Sequence, residues 1–199
     1  KFEKVRWKNF LSTGNQFTEI DLNRNETTLI IGENGAGKST VLDALCFSLF
    51  GKPFRTISKS QLVNTVNAME TVVEIEFSIA SRRYKVVRGI KPNKFEIWQN
   101  DKMLNQEANN RDYQKILEQQ ILKLNYRSFT QVVILGSSTF VPFMQLKAKF
   151  RREVVEDLLD IKIFSMMNII LKQRLKDLVI ELQEVEYNYK LSNEKITMQ

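Results

Sequence analysis

The sequence predicts an α/β fold: a mixed sheet with an antiparallel region, followed by the start of a long coiled-coil helix. Three observations carry this expectation. A short β-branched run, TLII at 28–31, enters a glycine-rich stretch and then an apolar helix. Apolar and polar residues alternate with period two between 73 and 97. Toward the C-terminus, apolar residues recur at spacings of four and three.

In chain order, Val5 and Trp7 mark a first strand, 17–22 a second and 28–31 a third, with 12–16 as a turn. The helix after the glycines opens at Lys38 and ends at a C-cap on Gly51. Val73, Ile75, Phe77 and Ile79 alternate with Glu74, Glu76 and Ser78, as a half-exposed antiparallel strand requires. Tyr84 and Val86 alternate with basic residues, and Phe95 and Ile97 lead to a turn at Asn100 and Asp101. Tyr113, Ile116, Leu117, Ile121 and Leu124 share one face of a helix starting near Asn110. Residues 129–135 look like a strand ending at Gly136, and 147–161 like an amphipathic helix. Leu171, Leu175, Leu178, Leu182, Val185, Tyr189 and Ile196 then form a coiled-coil seam that needs a partner helix. The expected division is a lobe over 1–160 and an ascending helix over 161–199.

Residues 32–39 read GENGAGKS and fit G-x-x-x-x-G-K-[ST] without a mismatch. Gly32, Gly35 and Gly37 are expected at positive φ, so that successive N–H groups form an anion nest. Lys38 is the expected catalytic residue, reaching the β- and γ-phosphates, and the Ser39 hydroxyl the expected Mg²⁺ ligand. With Asn34, Gly35, Ala36, Gly37 and Thr40 they make up the nucleotide-binding set, aided by the dipole of the following helix.

Composition narrows the remaining chemistry. The 199 residues are 43% apolar and contain one cysteine and no histidine. An intrachain disulfide, a Ser-His-Asp centre and a histidine zinc site are thereby excluded. No apolar run approaches a membrane span and no signal peptide opens the chain, so a cytoplasmic protein without membrane contact is expected. The net charge is +7, and all the surplus lies in residues 51–150. Lys52, Arg55 and Lys59, then Arg82, Arg83, Lys85, Arg88, Lys91 and Lys94, are either nucleic-acid phosphate contacts or a solvated strand face.

The order of these segments, with KNFLSTG, LFGKPFR, RGIKPNKFEI, VVILGSSTFVPFM and FRREVVEDLL, resembles the N-terminal half of the head of SMC-like, SbcC-type ABC ATPases. Within that family it looks closest to the large subunits of T4-type phage recombination endonucleases. The resemblance covers essentially the whole chain and implies a DNA double-strand-break processing subunit that binds ATP and Mg²⁺. Heads of this family dimerise around ATP and regulate a metallophosphoesterase nuclease partner on double-stranded DNA, in the host cytoplasm if the protein is phage-encoded. It also implies a signature motif, Walker B carboxylates and a switch histidine after a returning coiled-coil arm; none occurs here, so a fragment nearly inactive alone is expected. The Q-loop position falls on Ser137, as an uncertain Mg²⁺ contact. The basic residue such heads carry in the first strand–turn corresponds to Leu11, with Lys8 nearby as a substitute. A transporter-type ABC domain and a nucleotide-sensing DNA clamp or scaffold without turnover are the alternatives.

Overall fold

The computed structural model describes residues 1–104, 110–134 and 141–197. They fall into two compact units, Lys1–Arg151 and Arg152–Gln199. In the first unit β1 (Phe2–Lys8), β2 (Thr18–Asp21), β3 (Thr71–Ile79), β4 (Arg82–Ile90), β5 (Lys94–Gln99) and β6 (Lys102–Met103) form a sheet in the order β2-β1-β3-β4-β5-β6. Every pairing among these strands is antiparallel. The β3–β4 register sets Ile75 opposite Val86 and Phe77 opposite Tyr84, whose rings stack at 5.5 Å. The β4–β5 hairpin closes through cis Lys91-Pro92, and the β5–β6 turn places Asn100 and Asp101 at positive φ, as hairpin turns favour.

Helix α1 (Thr40–Phe50) is apolar nearly all round because it is buried nearly all round. Leu45, Leu49 and Phe50 pack with Ile75, Phe77 and Val86. Val41, Ala44 and Phe47 pack with Val5, Trp7 and Val73. Gly51 ends the helix at φ 68°, its N–H donating to Phe47 O at 2.8 Å. Cys46 sits in this core, where burial pushes its thiol up to about 12. It is a packing residue rather than a nucleophile at neutral pH.

Three expectations change. Residues 28–31 form no strand: Leu29 and Ile31 stand more than four-fifths exposed. No described strand offers this run a backbone partner, so its apolar pattern finds neither a ladder nor a core, and the antiparallel region is the part of the expected sheet that the described residues form. The run beginning at Phe129 is helix, not strand: α3 (Tyr126–Val132) starts at Asn125, whose Oδ1 accepts from Ser128 N at 2.9 Å. That cap outweighs the β-branched composition; residues 135–140, including Gly136, lie outside the described residues. The helix near Asn110 is α2 (Asn110–Lys115), continuing as a π-helical segment, Ile116–Leu122, that ends on Lys123 in the left-handed region.

Helix α4 (Ala148–Leu158) and helix α5 (Lys162–Thr197) are separated by a break that has no glycine or proline. Asp160 takes φ 52°, and Ile161 N donates to Glu156 O at 3.0 Å in a Schellman-type closure. Along α5 the seam residues Leu171, Leu175, Leu178, Leu182, Val185, Tyr189 and Ile196 are all more than half exposed. Among the described residues no helix is long and apolar enough to cross a membrane.

Candidate nucleotide-binding site

The glycine loop enters α1 with Ser39 as N-cap residue, one position before the buried stretch of the helix begins at Thr40. Gly35 and Gly37 take φ 91° and 94°, which side-chain-bearing residues rarely adopt, and Gly35 has open space where a Cβ would stand. Gly32 does not share this conformation; a Cβ there would meet Ala36 Cβ at 3.4 Å, an ordinary contact. Lys38 Nζ donates to the loop's own carbonyls, Gly32 O at 2.6 Å and Glu33 O at 2.8 Å. Ser39 makes no side-chain capping bond, which leaves its hydroxyl open to a ligand.

A cavity of about 520 Å³ opens beside this loop, in the range of small-molecule sites. Asn34, Gly35, Gly37, Lys38, Ser39 and Thr40 line it; Ala36 is not part of the wall. The donor set suits a triphosphate with Mg²⁺: a lysine ammonium, an uncommitted hydroxyl, glycines that admit close backbone approach and the N-terminus of an eleven-residue helix. Bound there, a nucleotide triphosphate would meet Lys38 and the loop N–H groups, and a magnesium ion the Ser39 hydroxyl.

The rest of the wall comes from elsewhere in the chain. Leu11 and Ser12 approach from the β1–β2 turn, and Gln61, Val63 and Thr65 from the connection after α1. Arg55, counted in sequence among nucleic-acid contacts, lines this cavity instead. Asp43, fully buried on α1, accepts from Arg55 N at 2.9 Å and Arg55 Nε at 2.6 Å and so fixes the guanidinium beside the loop. A lone carboxylate in the otherwise apolar TVLDALCFSLF was the signal for this pair, since a buried acid needs a partner. Lys8 does not substitute for Leu11: it is tied to Glu70 at 3.3 Å and is absent from the wall. Ser137 lies outside the described residues.

The remaining basic residues do not form one patch. Arg88 is turned to the core face of β4, donating to Ser48 O at 3.0 Å, Leu49 O at 3.3 Å and Gln114 Oε1 at 2.6 Å, with Phe95 stacked 3.8 Å from its guanidinium carbon. It therefore caps the C-terminal carbonyls of α1 and is no phosphate contact; burial lowers its pKa to about 9. On the opposite face Lys85 pairs with Glu74 at 2.9 Å, and Arg83 with Glu3 at 3.0 Å. Burial would raise the Glu74 pKa, but bonds from Lys85 and Arg6 outweigh it and hold the carboxyl below its usual range. Arg82, Lys52 and Lys59 have no ion-pair partner among the described residues. Lys52 follows the α1 cap that Arg88 contacts, whereas Arg82 lies six residues from Arg88 along β4, roughly 20 Å away.

A family model described as an AAA domain matches residues 4–198. "Exonuclease subunit 2" of Enterobacteria phage T4 is 43% identical over 168 residues, covering 84% of this chain and 30% of the relative. "DNA double-strand break repair Rad50 ATPase" of Thermoplasma volcanium is 25% identical over 93% of this chain and 21% of its own length. The chain thus spans less than a third of each of these two relatives. A solved structure from work on ATP-driven dimerization and DNA-stimulated activation of SMC ATPases superposes with a TM-score of 0.54 at 24% identity, covering 79% of this chain and 98% of that one. The α/β lobe with a long C-terminal helix is the fold of SMC ATPase heads.

Proposed function

We propose, from the premise that this chain belongs to the AAA-domain family, that it is the ATP- and Mg²⁺-binding part of an ATPase subunit that processes DNA double-strand breaks together with a nuclease. The observation that carries this reading is the 520 Å³ cavity in which Lys38, Ser39 and Arg55 converge on the glycine loop. The phage exonuclease subunit and the Rad50 ATPase among its relatives support the same setting. On this reading the lobe over 1–160 holds the nucleotide, and the helix over 161–199 carries the seam for a returning arm. Two such heads close around ATP and regulate a metallophosphoesterase partner on double-stranded DNA, in the cytoplasm. Lys52, Lys59, Arg82, Arg83 and Lys85 are the DNA contacts, and Ser137 the Q-loop position.

The chemistry this chain supplies is binding and charge placement. Lys38 and the loop N–H groups hold the β- and γ-phosphates, Ser39 holds the metal ion, and Arg55 adds a fixed positive charge. Orientation of the attacking water needs a carboxylate, and none among the described residues lines the cavity. Turnover is therefore expected only with a second, C-terminal segment.

Titration calorimetry with Mg-ATP tests the site: Lys38→Ala is expected to weaken binding at least about tenfold, the loss of a charged phosphate contact, with unchanged thermal melting. Equal affinity would sink the reading. Adding the C-terminal segment in trans should produce ATP hydrolysis; binding without turnover in that mixture would instead favour a nucleotide-sensing clamp.

A further inference from the structure

We infer that Asn64 is a positioning residue that fixes the nucleoside-side wall of this cavity, an inference that rests on the nucleotide reading above. Asn64 is buried, and its amide uses all of its hydrogen-bonding capacity. Nδ2 donates to Leu11 O at 3.1 Å and Thr13 O at 3.0 Å. Oδ1 accepts from Val66 N at 2.9 Å and Asn67 N at 3.0 Å. The Asn64 N–H donates to Asn9 O at 3.0 Å. One side chain thereby ties the β1–β2 turn to the connection before β3, and the wall residues Leu11, Ser12, Val63 and Thr65 sit directly beside those ties.

These two loops are held in a conformation they would not adopt freely. Asn9, Leu11, Ala68 and Glu70 all have positive φ, between 50° and 56°. Such backbone persists only where its surroundings over-determine it. Here the surroundings are polar bonds: besides the Asn64 set, Asn67 Nδ2 donates to Asn9 Oδ1 at 2.6 Å and Thr71 Oγ1 to Asn9 O at 2.7 Å.

The two halves of the wall differ in chemistry. The glycine loop offers a charged amine, a hydroxyl and backbone N–H groups, suited to phosphate. The tied loops place Leu11 and Val63 on the cavity together with Ser12, Gln61 and Thr65, an uncharged wall of mixed polarity suited to a nucleoside. Releasing the Asn64 ties should lower the fraction of molecules with that uncharged wall in place and leave the phosphate half intact.

The test compares Mg-ATP with Mg-tripolyphosphate, which lacks the nucleoside, by titration calorimetry on this chain. Asn64→Asp keeps the acceptor for Val66 N and Asn67 N but sets a carboxylate against Leu11 O and Thr13 O. It is expected to weaken ATP about tenfold, as a competent fraction of about one-tenth would, while tripolyphosphate affinity stays unchanged. Asn67→Ala, which removes only the tie to Asn9 Oδ1, is expected to give the same split at about threefold. It decides the matter if thermal melting shows that Asn64→Asp does not fold. Lys38→Ala should weaken both ligands. Equal effects on the two ligands in a folded variant, or no effect on either, would overturn the role of Asn64 and leave the nucleotide site standing. A wild-type chain that binds neither ligand would remove the nucleotide reading and this inference with it.

Discussion

Val73, Ile75 and Phe77 in β3 are at most 2% exposed, whereas Leu29 and Ile31, residues of the same chemical kind, stand at 82% and 81%. Both stretches carry β-branched apolar residues, alternating with Glu74 and Glu76 in β3 and contiguous in 28–31. β3 has β1 on one side and β4 on the other, and α1 packs over its apolar face. The run 28–31 has no strand neighbour among the described residues. The contrast teaches that an apolar pattern specifies a strand only where other chain segments satisfy its N–H and C=O groups; pattern alone is half of the requirement.

The sharpest way to break this comparison is truncation at matched chemistry. Phe77→Ala should destabilise by about 3–5 kcal/mol, because it opens a cavity between Phe2, Tyr84 and the α1 side of the sheet. Ile31→Ala should change stability by less than about 0.5 kcal/mol. Chemical denaturation of the two variants measures the difference, and equal losses would mean that 28–31 packs in solution.

A smaller effect sharpens the account of the sheet's other face. Glu74 lies between Arg6 and Lys85, at 2.7 and 2.9 Å. Its folded pKa is depressed from the ordinary 4.5, so its stabilisation is full above that value and lost as pH falls through the depressed one. Glu74→Gln should cost about 1–2 kcal/mol at neutral pH, in line with charged hydrogen bonds at a partly exposed site. The melting curves of the two proteins should converge only once pH has fallen through the depressed Glu74 pKa, where the native side chain is also uncharged. A constant gap across that range would assign the loss to packing.

The smallest expected effect concerns α5. Leu175→Asp with Leu182→Asp should leave the melting of this chain within about 0.5 kcal/mol of the parent, because both positions are already in water. The same pair should abolish association with a C-terminal segment supplied in trans, read by analytical ultracentrifugation. Clear destabilisation of the isolated chain would show that the seam is already covered.

By itself the sequence determined whatever depends on local pattern. Alternation in 73–97 specified β3, β4 and β5, because side chains on a strand must alternate between core and solvent. The glycine spacing specified the backbone of the loop before α1, because side-chain-bearing residues rarely adopt the φ values seen at Gly35 and Gly37. The tertiary structure decided what depends on partners distant in the chain. It left 28–31 without a strand neighbour among the described residues, made the run after the Asn125 cap helical, and turned Arg88 inward onto the end of α1. It also drew Arg55 and the Leu11 and Val63 loops into one wall through Asp43 and Asn64. The physical reason is common to all of these. Hydrogen-bond satisfaction and charge pairing are relations between groups, and the position of a group's partner is fixed only when the chain has folded.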